Sequence, residues 1–506
     1  MKQSRRAGFA LAMVVIIAFV LSVLAGALYT MFRANVESHS WNYERIQARY
    51  TAEAAANLTV KMIMGGADVP QGITPLQFLP VPPTVGWYSL PGEDLGQAVV
   101  WVDPSNHNPE VWSGDAYGIR ALGRVADDAG AFYTYGMETV VVPENFCRFA
   151  TFLNQEVTGG YYGDGYRFDG PFFCNGAVCL WSGSASSTND IWFYKFGLAV
   201  PYYYYSTGSA SNPQTTPIYG NLTIQPTQRM QMGPPYFELG ADSIPFGPDE
   251  VNWQDTRTAA MTGGLWFSAA SALGDLPDGT RMILTEDTLM VKTSTAAAVQ
   301  KFWIGGLTNH VVWIDNDTWD RIYLKTMPPY VSGSDPYCAT GLSEELTIGM
   351  NGDFMVAGPT QYQNRDLQDP DNTVILGILS VYGDFVLTND PTYSGAPEWA
   401  DPWKIVTDGD LELDATVMVL SGDYVAENPW AGPPGPADFL LMGGYIVDNE
   451  GITTISGSSG WDTVIYFDPR LLSMHPPFFP QTGRWDVLYW AEKPGLNEDT
   501  VDDYWF

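Results

Sequence analysis

Charge is scarce in this chain, and positive charge is scarcest. Only 16% of the 506 residues are charged, and 24 Lys and Arg face 57 Asp and Glu, for a formal net charge of −33. A field of that sign repels phosphate backbones and anionic headgroups, which argues against a nucleic-acid partner. Cysteine is equally sparse. The four cysteines (Cys147, Cys174, Cys179, Cys338) are too few for a disulfide scaffold, and without tandem C-x-x-C pairs they give no zinc framework. The four histidines (His39, His107, His310, His475) are scattered, with no H-x-x-x-H, no G-x-S-x-G and no P-loop in the chain. Standard zinc, hydrolase and nucleotide sites are therefore missing. What is abundant points to strands: 51 Gly, 18 Trp and 28 Tyr sit among short alternating runs, and 45% apolar residues suffice for a large core. The acidic surface suits solubility outside the cell and attracts divalent cations, but its simplest role is to keep an aromatic-rich protein from self-associating.

The N-terminus carries the strongest pattern. Lys2, Arg5 and Arg6 precede an uncharged apolar run from Phe9 to Phe32. A helix of about 24 residues spans ~36 Å, enough to cross a bilayer with some tilt. The cationic flank keeps that end cytoplasmic, so the remainder is expected to be translocated. The small residues in "SVLAGA" (Ala25, Ala27) would also suit a secretory signal peptidase. Against that, neither Gly nor Pro occurs from Ala27 to Met64, and Val36, Tyr43, Ile46, Tyr50, Ala54, Leu58 and Met62 recur mostly every three or four residues. This spacing predicts an amphipathic helix running straight out of the span and stopped by Gly65, Gly66 and Pro70.

"RRAGF" followed by the apolar run resembles a type IV prepilin leader, and "ARYTAEAAANL" (Ala48 to Leu58) resembles the signature that closes the long helix of PilX-like minor pilins. The resemblance implies cleavage between Gly8 and Phe9. It also implies a departure, because Met13 stands at the fifth mature position, where most pilins carry glutamate. A carboxylate inside a bilayer is expensive unless paired, and in pilins it is held to pair with a neighbour's N-terminal amine. Met13 therefore suits a first or tip subunit, or a protein that stays in the membrane. An uncleaved anchor and an ordinary signal peptide remain the alternatives. Further on, Phe146 to Glu156 and Phe168 to Gly183 resemble the opening of a domain of unknown function found behind prepilin-type helices in bacterial envelope proteins. That family's G-P-x-x-x-N-G step is matched by Gly170, Pro171, Asn175 and Gly176, and its closing segment resembles Asp438 to Thr454 and Ile465 to Trp490. The family implies location and architecture, but no reaction.

The expected organisation is a leader (1–8), a transmembrane helix (9–32), its amphipathic extension (33–66), a linker and first β region (67–145) and a β-rich exported domain (146–506). No convincing helix is expected beyond Gly65 except a turn in "ADSIPFGPDEVNWQ". The fold class is mainly β behind a long N-terminal helix. Three stretches, Leu346 to Val356, Val374 to Leu387 and Ile405 to Val419, each carry a Gly-Asp step (Gly352-Asp353, Gly383-Asp384, Gly409-Asp410) among alternating apolar residues. Such a loose period suggests coils of a parallel β-helix, with Gly-Asp at the corners and an earlier coil in Leu289 to Asp317. Antiparallel hairpins, as in a β-sandwich, are the alternative.

Candidate chemistry is thin. Stacking would bring Asp353, Asp384 and Asp410 into a column, yet each follows Gly and precedes an apolar residue, which is turn chemistry. Two acidic loops offer calcium ligands: Asp164 with Asp169, and Asp315, Asn316, Asp317 with Asp320; neither has the EF-hand's bidentate Glu. Cys174 and Cys179 could close a local disulfide in an oxidising compartment, although three pairings of four cysteines stay open. Aromatic runs at Pro201 to Gly208 and in "WDVLYW" suggest packing or a sugar platform. The expected function is a non-catalytic, pilin-like structural protein of the envelope, held in the inner membrane before assembly and partnered by other pilin-like subunits and the pilus assembly machinery. A glycan-binding adhesin and a β-helical carbohydrate-active enzyme are the other readings. No cofactor beyond calcium is expected.

Overall fold

The computed structural model describes residues 3–63, 77–78, 87–89, 96–103, 117–126, 130, 132–155, 162, 167–182, 191–207, 217–219, 228–230, 237–294, 296–326, 341–369, 371–388, 411–427, 437–451, 453–455, 459–472 and 474–493. One helix, α1 (Gln3–Ile63), takes in both the apolar run and its extension, and it ends just before the Gly pair. Beyond it the described residues are mainly strand. The chain divides into two compact units: Met1–Asn108, Gly114–Val142 and Trp485–Phe506 form the first, and Pro109–Ser113 with Pro143–Arg484 the second. The C-terminal residues, expected to close the 146–506 body, thus belong to the first unit.

In the first unit the strands Gln97–Asp103, Tyr117–Ala126 and Phe132–Asn145 form an antiparallel meander. Alternation gives this sheet two apolar faces. Ala98, Val100, Val102, Ile119, Ala121 and Val141 pack against Ala55, Ala56 and Val60 of α1, while Val99, Trp101 and Leu122 pack together with Trp87 against them. Arg120 and Glu138 stand directly opposite each other across the strands, and both are buried. Arg120 Nε lies 3.2 Å from Glu138 Oε1, and Lys493 Nζ lies 2.9 Å from Oε2. Removing one partner of such a pair leaves a buried charge uncompensated.

The second unit is built on parallel pairing. Leu265–Phe267, Val311–Ile314, Leu346–Met350, Leu376–Ser380, Leu411–Ala426, Ala437–Glu450, Thr151–Leu153, Arg167–Cys174 and Ile191–Leu198 pair in that spatial order, each parallel to the next. A second ladder runs through Thr280–Thr285, Arg321–Thr326, Asp353–Val356, Phe385–Leu387 and the end of Leu411–Ala426. Around the described Gly-Asp steps the strands thus pair in parallel, and not as the antiparallel hairpins of the alternative. The expected earlier coil is mixed: Val311–Ile314 joins the ladder, whereas Thr288–Lys292 folds back antiparallel on Thr280–Thr285 and Gln300–Trp303 pairs antiparallel with Thr288–Lys292 in turn. The chain enters the stack in its middle, at Thr151–Leu153, and builds outward to Ile191–Leu198. It then resumes at the far end and works back until Ala437–Glu450 seats beside Thr151–Leu153.

In-register parallel stacking places like on like. Phe172 sits over Phe196 (ring centroids 5.3 Å apart), and Phe385, Tyr424 and Tyr445 form a column at 5.7 and 5.3 Å. Such offset stacks contribute about 0.5–1.5 kcal/mol each beyond area burial. One helix departs from expectation: α2 (Gln254–Gly263) buries only Thr256, Ala259 and Ala260, a face too small to show as an apolar stripe.

Candidate assembly surface

The helix α1 presents three surfaces with different chemistry. From Ile16 to Arg33 it is apolar, with mean hydropathy 1.9 and none of that stretch buried, so it is long and apolar enough to cross a membrane. Its serine and threonine hydroxyls are satisfied within the helix: Ser22 Oγ donates to the Ala18 carbonyl and Thr30 Oγ1 to that of Ala27, each at 2.8 Å. Hydrocarbon tolerates polar groups only when they are paired in this way.

The second surface docks on the sheet. Ala48, Thr51, Ala52, Ala55, Ala56, Thr59 and Val60 are buried, and all are small or β-branched. The approach is close because Gly123 lies beneath: a Cβ there would stand 2.3 Å from the Ala48 carbonyl oxygen and 2.4 Å from the Ala52 nitrogen. The signal for this face was the cluster of Ala and Thr in "ARYTAEAAANL", residues that let backbones meet.

The third surface carries most of the expected stripe. Tyr43, Ile46 and Tyr50 are 66%, 52% and 59% exposed, and Ala54 is exposed beside them. Leu58 and Met62 are half-buried, Leu58 against the sheet, and the side chain of Val36 lies outside the described residues. The large apolar residues thus face away from the sheet, while the small ones hold the helix to it. Arg49 pairs with Glu492 at 2.7 Å and Arg45 lies 6.0 Å over the Tyr135 ring, bracing the helix beside its docked face. Gly8, Phe9 and Met13 all lie within α1, with side chains outside the described residues.

Among the described residues the calcium candidates form no group that would hold a metal. Asp164 lies outside the described residues, and Asp169 sits half-buried in the strand Arg167–Cys174. Asp315 is already committed: Arg257 reaches its two oxygens at 2.8 and 2.6 Å, and the indoles of Trp266 and Trp313 donate to it at 2.8 Å each. Burial alone would raise its carboxyl, but the guanidinium and the two indoles outweigh that and hold it below the usual carboxylate range. Asn316 Oδ1 accepts the Gly352 amide, and Asp320 caps the Asp317 amide within its own turn. Among the described residues no three His, Cys, Asp or Glu are grouped to hold a metal.

Cys174 and Cys179 are buried thiols that no disulfide joins, so the expected local closure is not made; Cys174 Sγ instead donates to the Gln155 carbonyl at 3.4 Å.

The Gly-Asp steps do stack, with one change of member. Gly409-Asp410 lies outside the described residues, and Gly422-Asp423 takes the third place. The Asp384 amide donates to Asp353 Oδ1 (2.8 Å) and the Asp423 amide to Asp384 Oδ1 (2.7 Å). Asn449 Nδ2 continues the row to Asp423 Oδ1 at 2.9 Å. Glycine is required because successive corners touch by backbone: a Cβ on Gly383 would come within 2.2 Å of the Gly352 carbonyl carbon. Burial pushes Asp353 and Asp384 upward, opposed by the amides they cap. Of the aromatic runs, Tyr203 is buried and Trp485 packs on Tyr117 with centroids 5.4 Å apart, whereas Trp490 is exposed.

No family model and no curated protein matches the chain. Among solved structures, the competence-associated pilin ComZ from Thermus thermophilus aligns over 90% of this chain and 98% of its own, at 10% identity and a TM-score of 0.30. A likeness that slight carries no argument, so what the chain is rests on its own geometry: a lipid-length apolar helix that turns its small residues to a sheet and its large ones to the outside.

Proposed function

We propose that this protein is a pilin-like structural subunit of the cell envelope. In this reading α1 roots the chain in the inner membrane and then packs against the helices of other pilin-like subunits, displaying the β-rich body outside the cytoplasm. One observation carries the reading: the exposed Tyr43, Ile46 and Tyr50 continue outward from an apolar span with nothing buried. Burying each such side chain gains about 1.5–3 kcal/mol, so the stripe alone supplies several kcal/mol for assembly. The parallel ladders support a β-helix-like body, and the commitment of Asp353 and Asp384 to backbone amides supports a non-catalytic one.

Gly8 and Phe9 are the expected processing site, and Met13 fits a subunit with no neighbour ahead of it. Mass spectrometry of the N-terminus, on protein isolated from its native envelope, tests the processing. A mature chain beginning at a methylated Phe9 supports it; an intact Met1, or a start at Gly26, rejects it.

A further inference from the structure

Trp303 is 65% exposed, yet its indole is not free to turn. One ring face rests on Gly306, where an added Cβ would stand 2.4 Å from Cε3 and from Cζ3. Its Nε1 donates to Asp287 Oδ2 at 3.1 Å. Asp287 is itself fixed: Thr288 Oγ1 donates to its other oxygen at 2.9 Å, and its carbonyl accepts the amides of Ile304 (2.7 Å) and Gly305 (3.2 Å). A large aromatic side chain is thus held flat on a glycine with its outer face open to solvent. Packing does not explain this, because an exposed indole adds little to a core.

Polar groups rim the ring. Glu344 Oε1 and the indole nitrogen lie 3.2 and 3.1 Å from the point a Cβ on Gly305 would occupy, so the carboxylate stands by the same edge as Asp287. Lys301, two residues back on the strand Gln300–Trp303, lies on the same face of that strand. The arrangement therefore combines one flat apolar surface with carboxylate acceptors at its margin. A pyranose has the matching form, with an apolar face of C–H groups and a rim of hydroxyls. A ring already immobilised loses no rotamer entropy on binding.

We infer that Trp303, with Asp287, Glu344 and Lys301 around it, is a surface platform for a hexopyranose unit of a glycan. The site lies within the second unit and needs nothing from α1, so it stands or falls apart from the assembly proposal. A single platform binds weakly, with a Kd in the millimolar range for one oligosaccharide and avidity when many copies are displayed.

The test is calorimetric titration of the full chain in amine-oxide micelles, avoiding glycoside detergents, with cello-, malto-, chito-, xylo- and manno-hexaoses. Binding of at least one hexaose is expected, weakened about tenfold or more by Trp303→Ala and less by Trp303→Phe, with unchanged thermal unfolding as the control for folding. Asp287→Asn keeps an acceptor for the indole and is expected to weaken binding less than Trp303→Ala. Should no hexaose bind up to saturating solubility, or should Trp303→Ala bind as the parent does, the platform is refuted.

Discussion

Gly123→Ala is the sharpest perturbation of the helix–sheet contact. The new methyl would stand 2.3 Å from the Ala48 carbonyl oxygen, 2.4 Å from the Ala52 nitrogen and 2.9 Å from Thr51 Cβ. Two of those three atoms are helix backbone, which cannot rotate away as a side chain tip would. Ordinary contact needs about 1 Å more, so α1 must lift by that distance along Ala48 to Val60. A radial gap of 0.5–1 Å forfeits about a quarter to a half of each dispersion contact, and overpacking of this kind typically destabilises by about 1–3 kcal/mol. For the first unit this corresponds to a fall in melting temperature of about 3–10 °C. Hydrogen exchange at the Ala48 to Val60 amides, read beside thermal unfolding of the full chain in micelles, locates the loss. Ala54→Leu, on the exposed face of the same helix, is the control and is expected to change neither. If Gly123→Ala left the melting temperature and those amides untouched, the close approach and the role of the small-residue face would both be wrong.

Acidification is expected to stabilise the second unit before it destabilises it. Burial lifts Asp414 to about 6 against 3.8 unfolded, so the folded state holds the extra proton in between; stability rises as pH falls from 7 towards 4, by about 3 kcal/mol for this group. Asp353, Asp384 and Glu450 shift in the same direction, whereas the depressed Asp278 and Asp315 withdraw stability only below the ordinary aspartate range. Asp414→Asn should flatten this rise in chemical denaturation measured between pH 7 and 4. In the corner row, Asp384→Ala strands the Asp423 amide and is expected to lose about 1–3 kcal/mol, while Asp384→Asn keeps the acceptor and loses much less. Asp315→Ala removes the acceptor of Arg257, Trp266 and Trp313 together and is expected to destabilise by about 3–5 kcal/mol, with added calcium leaving the parent's melting temperature unchanged.

The long helix was legible because nothing between Ala27 and Met64 can break it. So was its outward stripe of Tyr43, Ile46 and Tyr50, but the docked face was not: periodicity picks out large apolar residues, and a helix pressed against Gly123 buries small ones. Two of the three stacked Gly-Asp corners could be read directly. The third described corner, Gly422-Asp423, was not read because it lies inside the 16-residue strand Leu411–Ala426, where the register shifts between Val419 and Asp423. The return of Ala437–Glu450 to Thr151–Leu153 left no trace in the sequence, since pairs such as Asn154 with Asp448 are 294 residues apart. The Trp303 platform was equally hidden, because its meaning lies in Gly306 beneath the ring and Asp287 across a hairpin.

The assembly claim is tested most directly by photo-crosslinking from α1 in the native envelope. A photoreactive phenylalanine analogue is placed in turn at Tyr43, Ile46 and Tyr50, and at Arg45 and Asn42 on neighbouring exposed faces of the same helix. Adducts to other helical envelope subunits from the first three positions, with few from the last two, are the expected result. Equal labelling at all five positions, or adducts to lipid alone, would contradict it.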